Sequence, residues 1–529
     1  MTLLYFPDTT VIGSHSLSTN CKGNHVVVGA PKSRTGDNTG VAYILDAISG
    51  QVLKKLEPPC LQRGDEFGSS VAMNCFGTRA LVGAKTNRDI DSTVRSPGVV
   101  YLFDIIDSSN QVDASSPVVS LLQTFHNPNP QDYDEFGIVV DMDRSGEIIV
   151  IASPNHNHNQ GVVYLFNKNG TLIRSIGPPS LLATTFNTTD QPGRFNNYTE
   201  HNLHRDQFFG SSLALSQNGK LLLVGAPGKG WTKQLPGAVY LFDATTGDLL
   251  KTIHNPSHQD PNQENADYYF AHSVAMSSNA SLLVVGAMLA QPAKRLVANS
   301  SLTSGHVYVF KSDGQIKQTL TSPTSNESSK VDDHFGISVS ITDSGDSILV
   351  GAPCMHQNKT TSGVAFLFSP NGTLQHTMYN PNQSTSITPS EQLKQAIDFG
   401  GAVVIAPSGE YAAIGSAFDP AVNIVCLHSD CPGEQEPFQE LERNSFSTTL
   451  SEAVYDERMC LVTIPTTEQL GGGASSKLRP PLAAFISIIV VSFLGMALHA
   501  SRKRNQHRVN NSVYEAAISV HSNNLPEIL

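Results

Sequence analysis

The chain has 529 residues, of which 15% are charged and 39% hydrophobic, with one tryptophan, Trp231, a composition that fits a turn-rich globular protein and gives no sign of disorder. Its formal net charge of -12 argues against nucleic acid as a partner, because phosphate recognition needs a basic face that the chain does not show before its C-terminal end. Length alone would allow several domains, but an internal repeat overrides that prior.

The chain opens on Thr2-Leu3-Leu4-Tyr5-Phe6-Pro7, a short apolar run, and a unit of about 65 residues then recurs seven times. Most units open on Phe-Gly, commonly after an acidic residue: Phe67-Gly68, Phe136-Gly137, Phe209-Gly210, Phe335-Gly336 and Phe399-Gly400, with Ile12-Gly13 and Phe270-Ala271 as degenerate copies. A small-residue stop follows, in the order Gly29-Ala30-Pro31, Gly83-Ala84-Lys85, Ala152-Ser153-Pro154, Gly225-Ala226-Pro227, Gly286-Ala287-Met288, Gly351-Ala352-Pro353 and Gly415-Ser416-Ala417. Third runs such as Val99-Val100-Tyr101-Leu102-Phe103 come next, and fourth runs end in Asn-Pro or Pro-Pro. Each run has strand length and strand composition. Asn218-Gly219, Asn169-Gly170, Asp313-Gly314 and Asn371-Gly372 supply the positive φ of tight hairpins. The pattern predicts an all-β fold: a seven-bladed propeller of four-stranded antiparallel blades over residues 1–430. The seventh unit lacks a fourth run of its own, so the N-terminal strand is expected to complete it.

These Phe-Gly and Gly-Ala-Pro signatures resemble the FG-GAP repeat of the integrin α-chain N-terminal propeller, over about residues 7–430. The resemblance implies a calcium-binding Asp-rich hairpin between the first two strands of some blades. Here Asn74-Cys75-Phe76-Gly77, Ser216-Gln217-Asn218-Gly219 and Ser277-Ser278-Asn279-Ala280 are too poor in carboxylates to cage a hard cation. Asp141-Met142-Asp143-Arg144-Ser145-Gly146-Glu147 comes nearest, which makes Asp141, Asp143, Ser145 and Glu147 the candidate Ca2+ ligands, and no other cofactor is implied. Integrin-like leg domains are missing, and the sequence after the C-terminal apolar run does not match the integrin tail.

Alternation of strand direction puts the links between strands one and two and between three and four on one face, and the remaining links on the other. The second face carries the long polar loops. It is the expected binding face for a protein or carbohydrate ligand, as the resemblance also implies, with Tyr133, Arg194, Phe195, Tyr198, Arg205 and Trp231 as candidate anchors. Histidines gather there too, at His126, His156, His158, His201, His204, His254 and His258, and His156-Asn157-His158 offers two imidazoles at metal-ligand spacing against the ordinary alternative of solvated loop histidines. The Gly-x-Ser-x-Gly elbow, the phosphate loop and the His-Glu-x-x-His helix are absent, so binding without turnover is the expectation.

Beyond the repeats, residues 431–481 read as a juxtamembrane stalk, and Leu482 to Ala500 is a run of 19 residues with no acidic or basic side chain apart from His499. Such a run matches the hydrocarbon thickness of a bilayer. Arg502, Lys503, Arg504 and Arg508 follow it and, by the positive-inside rule, place residues 501–529 in the cytosol, where Tyr514 or Glu527-Ile528-Leu529 would suit an adaptor. The expected protein is a type I single-pass component of the plasma membrane with its propeller outside. The start at Met1 has no basic n-region or apolar h-region, which leaves two readings open: an N-terminus that is incomplete as written, or tail anchoring with a cytosolic propeller. Sequons at Asn169, Asn187, Asn197, Asn279, Asn299, Asn326, Asn358, Asn371 and Asn382 all precede the span and favour the first. Of seven cysteines, Cys426 and Cys431 could close a short loop, while Cys21 and Cys75, on equivalent turns of neighbouring units, are expected to stand too far apart to bond.

Overall fold

In the computed structural model the chain divides into two units, Met1–Phe438 and Gln439–Leu529. Described are the strands and most turns between residues 2 and 427. Outside the description lie 6–8, 12–15, 34–37, 58–62, 87–93, 107–116, 180–206, 229–236, 259–265, 292–302, 324–332, 355, 358–359, 362, 382–398, 417–420 and everything from 428 onward. The stalk and apolar run expected at 431–500 therefore lie outside the described residues, among which no helix is long and apolar enough to cross a membrane.

Seven four-stranded antiparallel sheets form the first unit. Blade 2 shows the pattern: Phe67–Met73, Arg79–Ala84, Val99–Ile106 and Val118–His126, paired in sequence order. The first strands of adjacent blades contact one another, so the first strand is innermost and the fourth lies on the rim. Blade 7 takes its fourth strand from the N-terminus: Thr2–Tyr5 pairs with Ala421–Cys426, Thr2 opposite Ile424 and Tyr5 opposite Ala421. The ring is thus locked by pairing the two ends of the repeat region, as the missing fourth run implies.

The core is divided among the blade interfaces. Seven apolar clusters are present, each combining residues of two adjacent blades, from Val27, Ile44, Val71 and Val82 between blades 1 and 2 to Val26, Tyr43, Ala413 and Ile424 between blades 7 and 1. Phe67, Phe136, Phe209, Phe270, Phe335 and Phe399 are all fully buried in these seams. Each of the first five packs edge-on against an aromatic of its own third strand, as Phe67 does on Phe103 with ring centroids 6.2 Å apart.

The Gly after five of these Phe residues has φ near +90°, from +88° at Gly336 to +93° at Gly400, a conformation that side chains resist, and Ala271, which follows Phe270, sits at +72°. This turn brings its carbonyl against the Gly-Ala stop of the preceding blade. A Cβ on Gly29, Gly83, Gly286 or Gly351 would overlap the carbonyl oxygen of Gly68, Gly137, Gly336 or Gly400 respectively. Both signatures are therefore two halves of one inter-blade contact. A serine three residues after the Phe completes it: Ser70, Ser212, Ser273 and Ser338 donate to the carbonyls of Gly137, Ala271, Gly336 and Gly400 at 2.6 to 2.8 Å.

On the opposite face the first-to-second-strand turns converge on the axis and are chained by backbone hydrogen bonds. Cys21 N donates to Cys75 O, Cys75 N to Arg144 O, Arg144 N to Gln217 O, Ser278 N to Asp343 O, Asp343 N to Pro407 O, and Ser408 N to Cys21 O, at 2.9 to 3.2 Å. Arg144 of blade 3 reaches Asp343 of blade 6 at 4.0 Å. This convergence corrects the expectation for Cys21 and Cys75. Near the axis, equivalent turns of neighbouring blades touch, their Cα atoms are 4.5 Å apart, and the two cysteines form a disulfide. Cys354 and Cys426 are also disulfide-bonded; Cys431 lies outside the described residues. A second departure is the third-to-fourth-strand link of blade 2, which runs from Ile106 to Val118 where the other described links are tight turns.

Candidate functional site

On the long-loop face the described chain is most elaborate at the junction of blades 2 and 3. The link Asn127-Pro128-Asn129-Pro130-Gln131-Asp132-Tyr133-Asp134 is stiffened by two prolines, which fix φ. It folds around the carboxylate of Asp134, which is fully buried. Asp134 Oδ2 accepts from Asn127 Nδ2 and the Gln131 N–H, both at 2.8 Å, and lies 3.0 Å from His156 Nδ1. His156 belongs to the loop of blade 3, so this contact ties two blades together at the surface. Gln131 Oε1 adds a second tie by accepting from the Asn157 N–H at 3.2 Å.

The blade 3 loop that meets this link turns left-handed. Asn157, His158 and Asn159 have φ of 50°, 62° and 63°, tolerated best by Asn, Asp and His among residues with side chains. Its Asn159 carbonyl accepts from the Phe208 N–H of blade 4 at 2.8 Å. On the other side, Tyr133 N donates to Arg95 O at 2.7 Å, and Arg95 N to Asp132 Oδ1 at 2.9 Å. The exposed Arg95 guanidinium donates a hydrogen bond to the Tyr133 phenol oxygen, and Tyr133 and then Asp132 hold it still more firmly protonated than an ordinary arginine. The result is a rigid shelf presenting the Asn129, Gln131 and Asn157 amides, the His156 imidazole and the Tyr133–Arg95 pair. Such a surface can hydrogen-bond and stack, and it offers no activated nucleophile.

Of the sequence-predicted anchors, Tyr133 belongs to this shelf. Arg194, Phe195, Tyr198, Arg205 and Trp231 lie outside the described residues. Sequence reasoning missed Asp134, and the signal was present: an acid two residues before the Phe recurs at Asp65, Asp134 and Asp333, all buried. Asp333 Oδ1 likewise anchors its loop, accepting from Ser304 Oγ at 2.6 Å and from the Phe335 N–H at 3.0 Å.

The four candidate Ca2+ ligands do not converge. Asp141 Oδ2 accepts from the Leu215 N–H of blade 4 at 2.7 Å and Oδ1 from the Met142 N–H at 2.8 Å, so this carboxylate caps the free edge of the next blade. Burial, opposed by these two bonds and assisted by Asp143, pushes its pKa up to about 6. Asp143 organises its own hairpin, accepting from the Glu147 and Ile148 N–H groups at 2.7 and 2.8 Å and from Ser145 Oγ at 2.6 Å. Glu147 turns outward to Arg79 and Lys168 at 2.9 and 2.8 Å, which lower its pKa, the Lys168 hydrogen bond most. Asn74 holds the corresponding blade 2 turn as a neutral side chain, accepting from the Thr78 and Arg79 N–H groups. Among the described residues no group of three or more His, Cys, Asp or Glu side chains is placed to hold a metal ion, and His156 is directed to Asp134.

Comparison with known proteins places the repeat. Residues 328–368, which span the opening of blade 6 through its third strand, match the FG-GAP repeat family. No curated protein sequence matches the chain. Similar solved structures include hydrazine synthase of Kuenenia stuttgartiensis, at 11% identity and a TM-score of 0.47 over 79% of this chain and 97% of that one. The Cps50 (Swd1) β-propeller domain of Myceliophteria thermophila is another, at 12% identity and a TM-score of 0.45 over 80% and 99%. The chain is a seven-bladed propeller that carries an FG-GAP repeat match in its sixth blade.

Proposed function

We propose that the chain is a single-pass type I membrane glycoprotein whose propeller recognises a protein or carbohydrate ligand at the cell surface through its long-loop face, by binding without turnover. The observation that carries this reading is where the chain leaves the disc. Leu427 N donates to Glu410 O, in the first turn of blade 7, at 2.8 Å, so the chain exits on the tight-turn face. The shelf around Tyr133 and Asp134 lies on the other face from Leu427, the last described residue before the apolar run at 482–500. The disulfide chemistry of Cys21, Cys75, Cys354 and Cys426 supports an oxidising compartment over a cytosolic, tail-anchored scaffold. Asn169, Asn279 and Asn371, the sequons among the described residues, are exposed in hairpin turns where a glycan could be attached.

The test is the gel mobility of the full-length protein from eukaryotic membranes, with and without an enzyme that removes N-linked glycans. A downward shift, absent when all nine sequon asparagines are changed to Gln, is expected. An unshifted protein whose propeller is cut by protease added to the cytosolic side of sealed vesicles overturns the reading. Recognition is checked with the same protein on glycan arrays and on cell surfaces. Tyr133→Ala with Arg95→Ala is expected to weaken binding at least about tenfold, whereas Phe76→Ala on the tight-turn face leaves it unchanged.

A further inference from the structure

The rim strands show one exception to a consistent pattern. The fourth strands of blades 1, 3, 4, 5 and 6 are Val52–Leu56, Leu172–Ile176, Leu249–His254, Ile316–Thr321 and Leu374–Tyr379. Each bulges against the third strand and then pairs through a single further residue, as Leu172 does with Phe166. Lys54 and Lys55, Arg174, Lys251 and Lys317 lie on four of them, and blade 6 carries His376. The rim strand of blade 7 is only four residues long. Short strands, bulges and basic side chains are the devices that keep sheet edges from pairing with other chains.

Blade 2 lacks them. Its rim strand has nine residues without a lysine or arginine, and past the bulge it continues through four pairs: Leu121 with Phe103, Ser120 with Asp104, Val119 with Ile105 and Val118 with Ile106. This extension projects from the tight-turn face. It exposes Val118 at 57%, Leu121 at 39% and Ile106 at 55%.

We infer that this edge is a self-association surface, on which the 118–121 strand of a second copy adds antiparallel to the first. Length and charge together single out this edge for a copy of itself. Two-fold pairing of 118–121 sets Val118 against Leu121 and Val119 against Ser120, with no charge brought opposite a like charge. The same operation centred on the rim strands of blades 1 and 3 sets Lys54 against Lys54 and Arg174 against Arg174, which is repulsive. On the rim strands of blades 4, 5 and 6 it brings no like charges together, but there a single pair past the bulge leaves too short an edge to extend. An edge that is apolar, neutral and self-complementary fits a copy of itself.

Sedimentation velocity of the full-length chain in mild detergent, over a wide concentration range, tests this alongside amide hydrogen exchange. A monomer–dimer equilibrium is expected, with exchange over 118–121 slowing about tenfold as dimer forms while 249–254 is unchanged. Leu121→Lys, and independently Val118→Lys, should abolish both effects, and Leu249→Lys on the rim of blade 4 should not. A monomer at every concentration overturns the inference. So does a dimer that survives both lysine variants with its 118–121 exchange unaltered.

Discussion

The two faces of the disc obtain order from different chemistry. On the tight-turn face, hairpins are organised by one side chain each, Asn74, Asp143, Ser216 or Thr342, and then hydrogen-bond their neighbours directly around the axis. On the long-loop side the joint lies one layer down, in the glycine and serine contacts between Phe-Gly turns and Gly-Ala stops. The loops above add ties of their own, as between Asp134 and His156 and between Gln131 and Asn157. At the link around Asp134 and His156, a buried carboxylate organises the chain while Asn129, Gln131 and Asn157 are exposed. Separating the joint from the surface lets loops vary without loosening the ring.

The comparison breaks most sharply at the glycine joint. Gly351→Ala would drive its Cβ into the Gly400 carbonyl, which is backbone and cannot move aside, so a loss of about 4 kcal/mol or failure to fold is expected. Gly64→Ala is the control: its Cβ would meet nothing within 4 Å, and only its φ of +89° opposes the change, costing about 1 kcal/mol. Urea unfolding of the two variants should separate them widely. Equal losses would show that the close approach of the Gly400 carbonyl does not explain the recurring Gly-Ala stops.

The tight-turn face has its own strongest joint in Cys21–Cys75, which closes a loop with a sequence separation of 54. Cys21→Ser with Cys75→Ser is expected to lower stability by about 3 kcal/mol. Reductant should destabilise the parent protein and leave the double variant less affected, read as the shift in urea midpoint.

Much of this was legible in the sequence. Five Phe-Gly marks with two degenerate copies, seven small-residue stops and Asn-Gly turns dictated blade number, strand order and the borrowed N-terminal strand, because each reflects a local backbone demand. Convergence is what the pattern concealed. Nothing local in Asn20-Cys21 or Asn74-Cys75 says that equivalent turns meet near the axis, so the disulfide was read as impossible. Asp141 and Asp143 were likewise legible as an acidic pair and illegible as an edge cap and a turn former, since their partners, Leu215 above all, come from across a seam. Asp134 was hidden in a motif whose Phe and Gly drew the attention. The remaining anchors, from Arg194 to Trp231, lie outside the described residues.

Asp141 supplies a pH dependence at the inner edge of this face. Its carboxyl moves from an ordinary 3.8 to about 6 on folding, so the folded protein holds that proton more tightly than the unfolded chain. The contribution to stability is therefore full below pH 4 and is lost as pH rises to about 6, where it levels off; the total for such a displacement is up to about 3 kcal/mol, reduced by relaxation around the charge. Asp141→Asn removes the titration. Its unfolding free energy should vary by about 2 kcal/mol less than that of the parent between pH 4 and pH 7. Identical pH profiles would assign the dependence to other groups.

The smallest expected effect tests whether the serines of the joint add to the glycines. Ser338 Oγ donates to the Gly400 carbonyl at 2.8 Å in a buried seam, and its removal leaves that carbonyl with one fewer partner. Ser338→Ala should cost about 1 kcal/mol, the net value of a buried neutral hydrogen bond. Blade 3 provides the internal reference: Val139, three residues after Phe136, stands where blades 2, 4, 5 and 6 have serine, and its seam with blade 4 is packed by Val139, Leu213 and Val224 instead. Val139→Ser is therefore expected to gain nothing, because it exchanges apolar contact for one hydrogen bond. If Ser338→Ala proves neutral while Val139→Ser stabilises, the serine belongs to the strand's turn and not to the joint, and the glycine contacts alone hold the blades at the long-loop side.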